Sequence, residues 1–286
     1  MIAPSVSEIL RISRPRFWIY EAATFAIIGT LSAAAGFSFL ADWRYWVFVL
    51  YFLIPANLLI YGINDIFDYE TDKLNPKKGD GAYESLVTPE KRKYVWMWIL
   101  MSNAVFLPFV PVHTPSILAF TAFIFFATFY SALPIRAKSK PVLDSVFSAG
   151  HYVATGVFGY YVAGGSGFPL IGVIAGMLWC IAMHAYSAVP DIDADTRANL
   201  KTIAICIGRK STIYLCWFLY VTAALLAYRY IPVSSVCGVI VYSLVMFRSL
   251  QTRTDEDLFK VYTYFPIINT LVGGIVSAEL IIRNMF

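Results

Sequence analysis

The chain has 286 residues, of which 59% are apolar and 14% are charged, with a mean hydropathy of +0.66 and a formal net charge of +4. Soluble domains carry about 25% charged residues, so this composition excludes a water-soluble enzyme with one buried core and excludes a disordered chain. The apolar stretches are continuous, which argues against a β-barrel. We expect an all-α polytopic membrane protein with about nine transmembrane helices in a single bundle and a central cavity open to the cytoplasmic side.

Nine apolar stretches long enough to span a bilayer follow one another along the chain. They cover residues 17–40, 44–63, 94–112, 115–134, 143–163, 168–189, 212–230, 232–248 and 260–282. The basic residues before the first stretch are not followed by a short apolar run with a cleavage site, so we expect no signal peptide. No linker or shift in composition marks a boundary, and residues 1–286 are expected to form a single membrane domain.

The basic residues are distributed unevenly between the connections. Of the 22 Lys and Arg residues, 19 fall before the first span or after spans 2, 4, 6 and 8, and the other three are Arg44, Arg229 and Arg283. The positive-inside rule then predicts a cytoplasmic N-terminus, cytoplasmic loops after these spans, and a C-terminus on the opposite side of the cell membrane. In this pattern the net positive charge reflects topology, and it does not indicate binding of nucleic acid.

A first group of acidic residues lies at the predicted cytoplasmic end of span 2. If the helix continues, Asn64, Asp68 and Asp72 repeat every four residues on one face, and Asp65 lies three residues before Asp68 on the same face. Carboxylates so close together repel each other. We therefore expect a cation among them.

A second acidic group follows span 6. Asp191 and Asp195 are four residues apart and share one face of a regular helix, whereas Asp193 points away. Carboxylate sites with only oxygen ligands suit Mg²⁺, which is commonly shared with substrate phosphates. Two such groups around one cavity would hold several ions and a diphosphate, and basic residues of the same loops would neutralise phosphate oxygens. These basic residues are Lys73, Lys77, Lys78, Arg197 and Lys201.

A simpler interpretation is that both acidic groups are solvated loops with surface ion pairs of little energetic value. For either group alone, a solvated loop and a cation-binding site are equally good interpretations. The occurrence of both groups at equivalent ends of spans 2 and 6 favours the site.

The motifs Asn64-Asp65-x-x-Asp68-x-x-x-Asp72 and Asp191-x-x-x-Asp195, on a nine-span scaffold, resemble those of the UbiA superfamily of intramembrane prenyltransferases. The resemblance covers nearly the whole chain and includes YSALPIRAKSKP (130–141) after span 4. It implies that both motifs bind Mg²⁺ and, through it, the diphosphate of an allylic isoprenyl donor. The implied metal ligands are Asn64, Asp65, Asp68, Asp72, Asp191 and Asp195, of which Asp65, Asp68, Asp191 and Asp195 are the implied catalytic residues. The expected diphosphate-binding residues are Asn64, Lys73, Lys77, Arg136, Lys138 and Lys201.

Within this superfamily the chain is most similar to the lycopene elongases. The similarity lies in SRPRFW (13–18), LIPANLLIYGINDIFDYETDKLNPKKG (53–79) and DIDADTRANLKTIAICIGRK (191–210). It implies transfer of dimethylallyl units to the ends of lycopene, a hydrophobic acceptor dissolved in the lipid bilayer. The alternative is a UbiA-type transferase acting on a quinone precursor, a chlorin or a glycerol-ether lipid, since these enzymes share the metal motifs.

Two other classes of protein also use membrane carboxylates. An ion-coupled secondary transporter has them near the bilayer midplane, whereas the acidic groups here lie at helix ends beside lysines, which favours the enzyme. A CDP-alcohol phosphotransferase would need one compact D-G-x-x-A-R…G-x-x-x-D-x-x-x-D run, which the sequence lacks.

A few further polar residues have more than one interpretation. His151 and His184 are within or near spans and are either functional or hydrogen-bonded between helices. Tyr186, five residues before Asp191, faces the same cavity or packs in the core. Arg14 and Arg16 either reach a phosphate group or anchor the first span at the lipid headgroups, and their position beside that span favours the anchor.

Overall fold

The computed structural model describes residues 3–72, 86–197 and 200–286, without the side chains of Thr71, Asp72 and Ala194. Regular secondary structure in these residues is entirely helical, as the composition predicts. The α-helices are α1 (Val6–Ile12), α2 (Trp18–Ala23), α3 (Thr30–Ala33), α4 (Trp43–Leu53), α5 (Pro55–Phe67), α6 (Tyr69–Asp72), α7 (Arg92–Ala104), α8 (Thr114–Ser131), α9 (Leu143–Val162), α10 (Leu170–Ser187), α11 (Ile192–Arg197), α12 (Ile203–Ile207), α13 (Arg209–Ala227), α14 (Pro232–Gln251), α15 (Asp255–Tyr262) and α16 (Phe265–Met285). A π-helical turn, Thr24–Gly29, connects α2 to α3.

Six helical stretches of the described residues are long and apolar enough to cross a membrane, and the chain is an integral membrane protein. They are Trp43–Phe67, Thr114–Ser131, Leu170–Ser187, Arg209–Ala227, Pro232–Gln251 and Asp255–Met285. The other three predicted spans are helical but interrupted, short or more polar. The first contains the π-helical turn, α7 has 13 residues, and α9 carries Asp144 and His151. The count of nine spans and the central cavity stay predictions.

The chain divides into two compact units. The first unit is Met1–Arg136 with Ala154–Gly165, and the second is Ala137–Val153 with Ser166–Phe286. The core of the first unit is aromatic, with Phe25, Phe48 and Phe158 in mutual contact at ring distances of 4.7 to 6.1 Å. In the core of the second unit Tyr220 stacks on Tyr242 with ring centroids 4.1 Å apart. The single membrane domain stays a prediction.

A proline separates α4 from α5, the helix that carries the first acidic motif. Pro55 is the first residue of α5 and lacks an N–H group, so the helical hydrogen bonding is interrupted there. The buried side-chain amide of Asn57 donates to the carbonyl oxygens of Phe52 and Leu53 at 2.8 and 3.1 Å. These bonds satisfy carbonyls at the end of α4, so the break is stable inside an apolar core.

In the first unit α9 approaches the π-helical turn so closely that two glycines are required. A Cβ atom on Gly29 would lie 2.1 Å from the carbonyl oxygen of Gly156, and one on Gly159 would lie 2.5 Å from the carbonyl oxygen of Phe25. The same contact buries Glu21, which is 2% exposed and accepts a hydrogen bond from the hydroxyl of Thr155 at 2.8 Å. The backbone contact and this polar pair hold the first span against α9.

The substitution Gly29→Ala is expected to destabilise the first unit by about 3 kcal/mol, which is the upper end of the range for an overpacked core. The added Cβ would meet the backbone carbonyl of Gly156, which cannot move aside by changing rotamer as a side chain can. The matched control is Gly172→Ala in α10, where an added Cβ meets no atom within 4 Å and alanine favours the helix by up to about 1 kcal/mol. Thermal unfolding in detergent micelles measures both. Equal unfolding temperatures for the two variants would show that the close approach is absent.

Candidate active site

The first acidic motif lies where α5 ends. The helix stops at Phe67, Asp68 is the C-cap with φ of −106° and ψ of 8°, and α6 begins at Tyr69. The continuous helix expected from the spacing is therefore interrupted at Asp68, a residue type that favours helix ends over helix interiors. The backbone N–H of Asp68 still donates to the carbonyl oxygen of Asn64 at 3.0 Å, so the two residues stay one turn apart.

Two arginines neutralise the buried carboxylates of this motif. Asp65 and Asp68 are only 2% and 4% exposed. The guanidinium of Arg14 donates to Asp65 Oδ1 at 3.0 Å, and the guanidinium of Arg136 forms an ion pair with Asp68 Oδ1 at 3.5 Å. Buried carboxylates require such partners, because their hydration is lost on folding. Arginine side chains therefore supply positive charge to both buried carboxylates of this motif, and a metal ion at the motif stays a prediction.

Arg14 has a partner that its place in the sequence does not indicate. Its side chain is 15% exposed, and its guanidinium lies 4.6 Å from the centroid of the Tyr61 ring, against which Phe17 also stacks. Tyr61 precedes Asp65 by one helical turn, so the cation binds the ring and the carboxylate of one helix face. The interpretation of Arg14 as a lipid anchor is therefore wrong. No spacing rule reveals the pair, since 51 residues separate its members.

Both arginines have a left-handed backbone. Arg14 has φ of 51° and Arg136 has φ of 45°. Such a conformation costs about 1–3 kcal/mol for a residue other than glycine, and it persists only where the surroundings impose it. Strain at both cationic partners of one acidic motif is typical of a functional site.

Asn64 is held by the end of α8. Its side-chain amide nitrogen donates to the hydroxyl of Ser131 at 3.1 Å. With the nitrogen engaged, the amide oxygen is the atom that a hard cation would use. The segment that follows Ser131 leads to Arg136, so the end of α8 positions partners for both Asn64 and Asp68.

The second acidic motif lies in the turn after α10. That helix ends at Ser187, and α11 begins immediately after Asp191. The backbone N–H of Asp195 donates to the carbonyl oxygen of Asp191 at 2.8 Å, which closes one helical turn and places the two residues as their spacing predicts. Asp191 and Asp193 are exposed, and Asp195 is partly buried.

The electrostatic environment of Asp195 is strongly acidic. Burial, and after it the nearby charges of Asp191 and Asp144, raise the pKa of Asp195 to about 6, against an opposing effect of Lys138. The raised pKa means that the ionised form is poorly compensated by the protein alone. A divalent cation at this motif would supply the missing positive charge.

Asp144 is a buried carboxylate that the sequence analysis did not single out. It lies near the start of α9 and is fully buried, and its Oδ2 accepts a hydrogen bond from the backbone N–H of Ile203 at 3.0 Å. It thereby fixes the segment that follows α11. A lone carboxylate at the start of an apolar stretch is the signal that could have identified it.

The structure brings together some, but not all, of the predicted site residues. In the first unit it pairs Asp68 with Arg136, and it places Asn64 and Asp65 on the same helix end. In the second unit Asp191 and Asp195 are joined by a backbone hydrogen bond, and the charge of Lys138 acts on Asp195. Lys201 is exposed between α11 and α12, and Asp72 ends α6 without a described side chain. Lys73, Lys77 and Lys78 lie outside the described residues.

Tyr186 belongs to the core of the second unit. It is fully buried, and its hydroxyl forms a hydrogen bond with Ser249 at 2.7 Å. Its ring packs edge to face on Phe265 at 4.8 Å. These contacts support the packing interpretation.

The described donor residues fit a shared magnesium site better than a closed metal cage. Within the described parts of the chain, no three His, Cys, Asp or Glu side chains lie close enough to hold a metal ion by themselves. Mg²⁺ does not need such a cage, since one or two carboxylates with water and substrate phosphates complete its octahedron. Oxygen donors without histidine or thiolate fit Mg²⁺ and argue against zinc or copper.

Fold and site together define a helical integral membrane protein with carboxylate groups at helix ends. Residues 22–269 match the model of the UbiA prenyltransferase family. The chain is 38% identical to the lycopene elongase/hydratase of Haloarcula japonica, over 93% of this chain and 88% of that protein. It is 35% identical to the lycopene elongase/hydratase of Haloferax volcanii, over 93% and 86% of the two chains.

A solved structure shows the same fold. It is that of a UbiA homologue from Archaeoglobus fulgidus bound to DMAPP and Mg²⁺, with a TM-score of 0.72, 20% identity, and coverage of 96% of this chain and 99% of that chain. The chain belongs to the UbiA prenyltransferase family. It is therefore an enzyme, a prenyltransferase, which decides against the transporter.

Proposed function

We propose that this chain transfers dimethylallyl units from dimethylallyl diphosphate to the ends of lycopene, as a lycopene elongase of C50 carotenoid biosynthesis. The observation that carries the proposal is the identity of 35% and 38%, over 93% of the chain, with proteins named lycopene elongase/hydratase. The donor is supported by the homologue of the same fold that binds DMAPP with Mg²⁺.

The two acidic motifs are proposed to bind Mg²⁺ and, through it, the diphosphate. The ligands are Asn64, Asp65, Asp68, Asp72, Asp191 and Asp195. Bound Mg²⁺ supplies Lewis acidity, which stabilises the charge that develops on the departing diphosphate. Four of these ligands are proposed to be catalytic, because they would hold the Mg²⁺ ions in position beside the departing diphosphate. They are Asp65, Asp68, Asp191 and Asp195.

The basic residues have a complementary role toward phosphate oxygens. Arg136 pairs with Asp68 in the first unit, and the charge of Lys138 acts on Asp195 in the second unit; each observation supports its residue as a diphosphate ligand. Lys201, Lys73 and Lys77 are proposed for the same role from the sequence alone. Arg14 is a positioning residue, since it orients Asp65 while its own backbone is constrained in the left-handed region.

An alkene acceptor suits this chemistry. A π bond attacks an allylic cation without prior deprotonation, so no general base is needed to create the nucleophile. The protein must exclude water and align the two chains, which apolar membrane helices do. We place the motifs on the cytoplasmic side with the N-terminus, because 19 of the 22 basic residues fall on that side of the predicted topology.

Expression in a host that makes lycopene tests the proposal. The expected result is pigments heavier by one or two five-carbon units, detected by mass, and their loss in the double variant Asp68→Ala/Asp191→Ala. If lycopene stays unchanged although the wild-type protein is well expressed, the proposal that lycopene is the acceptor is contradicted. Radiolabelled allylic diphosphates would then identify transfer to a quinone precursor, a chlorin or a lipid alcohol.

A further inference from the structure

Two arginines of the first unit bind carboxylate oxygens that the proposed Mg²⁺ site needs. A guanidinium nitrogen of Arg14 lies 3.0 Å from Asp65 Oδ1, and one of Arg136 lies 3.5 Å from Asp68 Oδ1. The two aspartate side chains are only 2% and 5% exposed, so little of either carboxylate faces solvent. Mg²⁺ binds oxygen directly at about 2.0–2.1 Å, and a guanidinium beside the same oxygen repels it. In this arrangement the arginines compete with a divalent cation for the first motif.

The side chains of both arginines are suited to a change of partner. They are 15% and 35% exposed, whereas the carboxylates that they bind are nearly buried. A guanidinium group carries five N–H donors, and it forms the same forked bonds with a phosphate as with a carboxylate. The left-handed backbone of both residues indicates that the surroundings fix where each side chain begins. Rotation about side-chain bonds is then enough to move a guanidinium from a carboxylate to a neighbouring phosphate oxygen.

The burial of the carboxylates determines when such a change can occur. Asp65 and Asp68 lose their arginines only if another cation replaces them, because a buried carboxylate without a partner is strongly destabilising. A diphosphate adds several negative charges beside the motif and attracts both Mg²⁺ and guanidinium groups. Its binding therefore provides a new anion for the arginines at the same time as Mg²⁺ provides a new cation for the carboxylates.

We propose that Arg14 and Arg136 are exchangeable counter-ions of the first motif, an inference that rests on the proposed function. With no donor bound, the arginines bind Asp65 and Asp68 and keep divalent cations away from these carboxylates. When Mg²⁺ and the donor arrive together, the guanidinium groups turn from the carboxylates to oxygens of the diphosphate. The positioning of Asp65 by Arg14 belongs to the donor-free arrangement.

The exchange couples binding of the metal ion to binding of the donor. Such coupling is reciprocal, so diphosphate raises the affinity for Mg²⁺ by the same factor as Mg²⁺ raises the affinity for diphosphate. The first motif therefore binds the two together and binds either one weakly alone. After prenyl transfer, departure of the diphosphate returns the arginines to the carboxylates, which favours release of the metal ion.

Binding of Mn²⁺ to the purified protein in detergent tests the exchange. Mn²⁺ prefers the same octahedral oxygen ligands as Mg²⁺, and its electron paramagnetic resonance signal separates free from bound ion. The variants are Arg14→Gln and Arg136→Gln. The matched controls are Arg11→Gln and Lys140→Gln, which remove the same charge from exposed residues nearby in the sequence. Each protein is titrated with Mn²⁺ alone, and then with inorganic diphosphate at a fixed Mn²⁺ concentration.

Both arginine variants are expected to bind Mn²⁺ alone about 10-fold more tightly than wild type and to bind diphosphate about 10-fold more weakly, within the usual range of coupling between sites. The two changes have opposite signs because the same guanidinium opposes the cation and holds the anion. The control variants should match wild type. Adding Asp68→Asn to Arg136→Gln should remove the gain in Mn²⁺ affinity, which assigns that gain to the first motif. Arg136 is the more exposed of the two arginines, so its variant keeps the test available if Arg14→Gln does not fold.

Wild-type affinity for Mn²⁺ alone in the folded arginine variants, or an equal gain in the control variants, would overturn the exchange. A wild-type protein that binds neither Mn²⁺ nor diphosphate contradicts the donor site of the proposed function, and the exchange falls with it. The identity of the acceptor does not affect the result, because no lycopene is present in these titrations.

Discussion

Asp191→Ala is expected to lower Mg²⁺-dependent prenyl transfer by about 10²–10³-fold, the cost of removing one group that stabilises transition-state charge in an active site. Asp191 is exposed and precedes a helix, so its loss leaves the packing of the second unit intact. The loss should therefore appear in activity and not in the unfolding temperature. Release of diphosphate from purified protein in detergent, followed over a range of Mg²⁺ concentrations, measures it.

The chain provides a matched control for this variant. Asp193 lies two residues away, in α11, and is also exposed, and Asp193→Ala removes the same charge from the other side of the turn. It should keep wild-type activity. Asp68→Ala, compared with the exposed neighbour Glu70→Ala, tests the first motif by activity; its unfolding temperature is expected to fall as well, because Arg136 loses its buried partner. Retention of normal Mg²⁺-dependent transfer by Asp191→Ala or Asp68→Ala would remove that residue from the site.

Arg14→Met is expected to destabilise the first unit by as much as about 3–5 kcal/mol, because Asp65 stays buried without the guanidinium that now binds it. Methionine keeps much of the apolar packing beside Tyr61, so the fall in stability measures the loss of the guanidinium charge and not the loss of packing. Thermal unfolding in detergent and diphosphate release are both expected to fall. The control is Arg16→Met, an exposed neighbour whose loss should change stability by no more than about 0.5 kcal/mol.

A second substitution separates stability from catalysis at this pair. Adding Asp65→Asn to Arg14→Met removes the buried charge, so most of the lost stability should return. Activity should not return, since the proposed metal ligand is gone. Equal unfolding temperatures of Arg14→Met and Arg16→Met, or no recovery in the double variant, would show that the ion pair does not stabilise the unit.

Local sequence pattern predicts the acidic motifs well. Apolar runs followed by acidic residues place the first motif at the end of α5 and the second just after α10, as observed. The four-residue spacing of Asp191 and Asp195 survives in the structure because one backbone hydrogen bond closes the turn between them. The assignment of these residues to metal and diphosphate stays a prediction.

The partners of the motifs were less predictable, because they arise from contacts between distant segments. Arg14 reaches Asp65 across 51 residues, and Arg136 reaches Asp68 across 68. Both contacts depend on left-handed backbone at non-glycine residues, which no propensity rule anticipates. The break at Asp68 has a similar origin, since a cap competes with helix continuation and tertiary contacts decide between them.

The buried pair of Glu21 and Thr155 has a consequence for the order in which the protein assembles during synthesis. The two residues are 134 positions apart. At roughly 5–20 residues per second, a ribosome makes Thr155 about 7 to 27 seconds after Glu21. A carboxyl group in the first span therefore enters the bilayer long before this hydroxyl exists. The first unit is completed only when the second half of α9 arrives, so a nascent chain released before that point would carry an unfinished helix pair for the quality-control machinery to recognise.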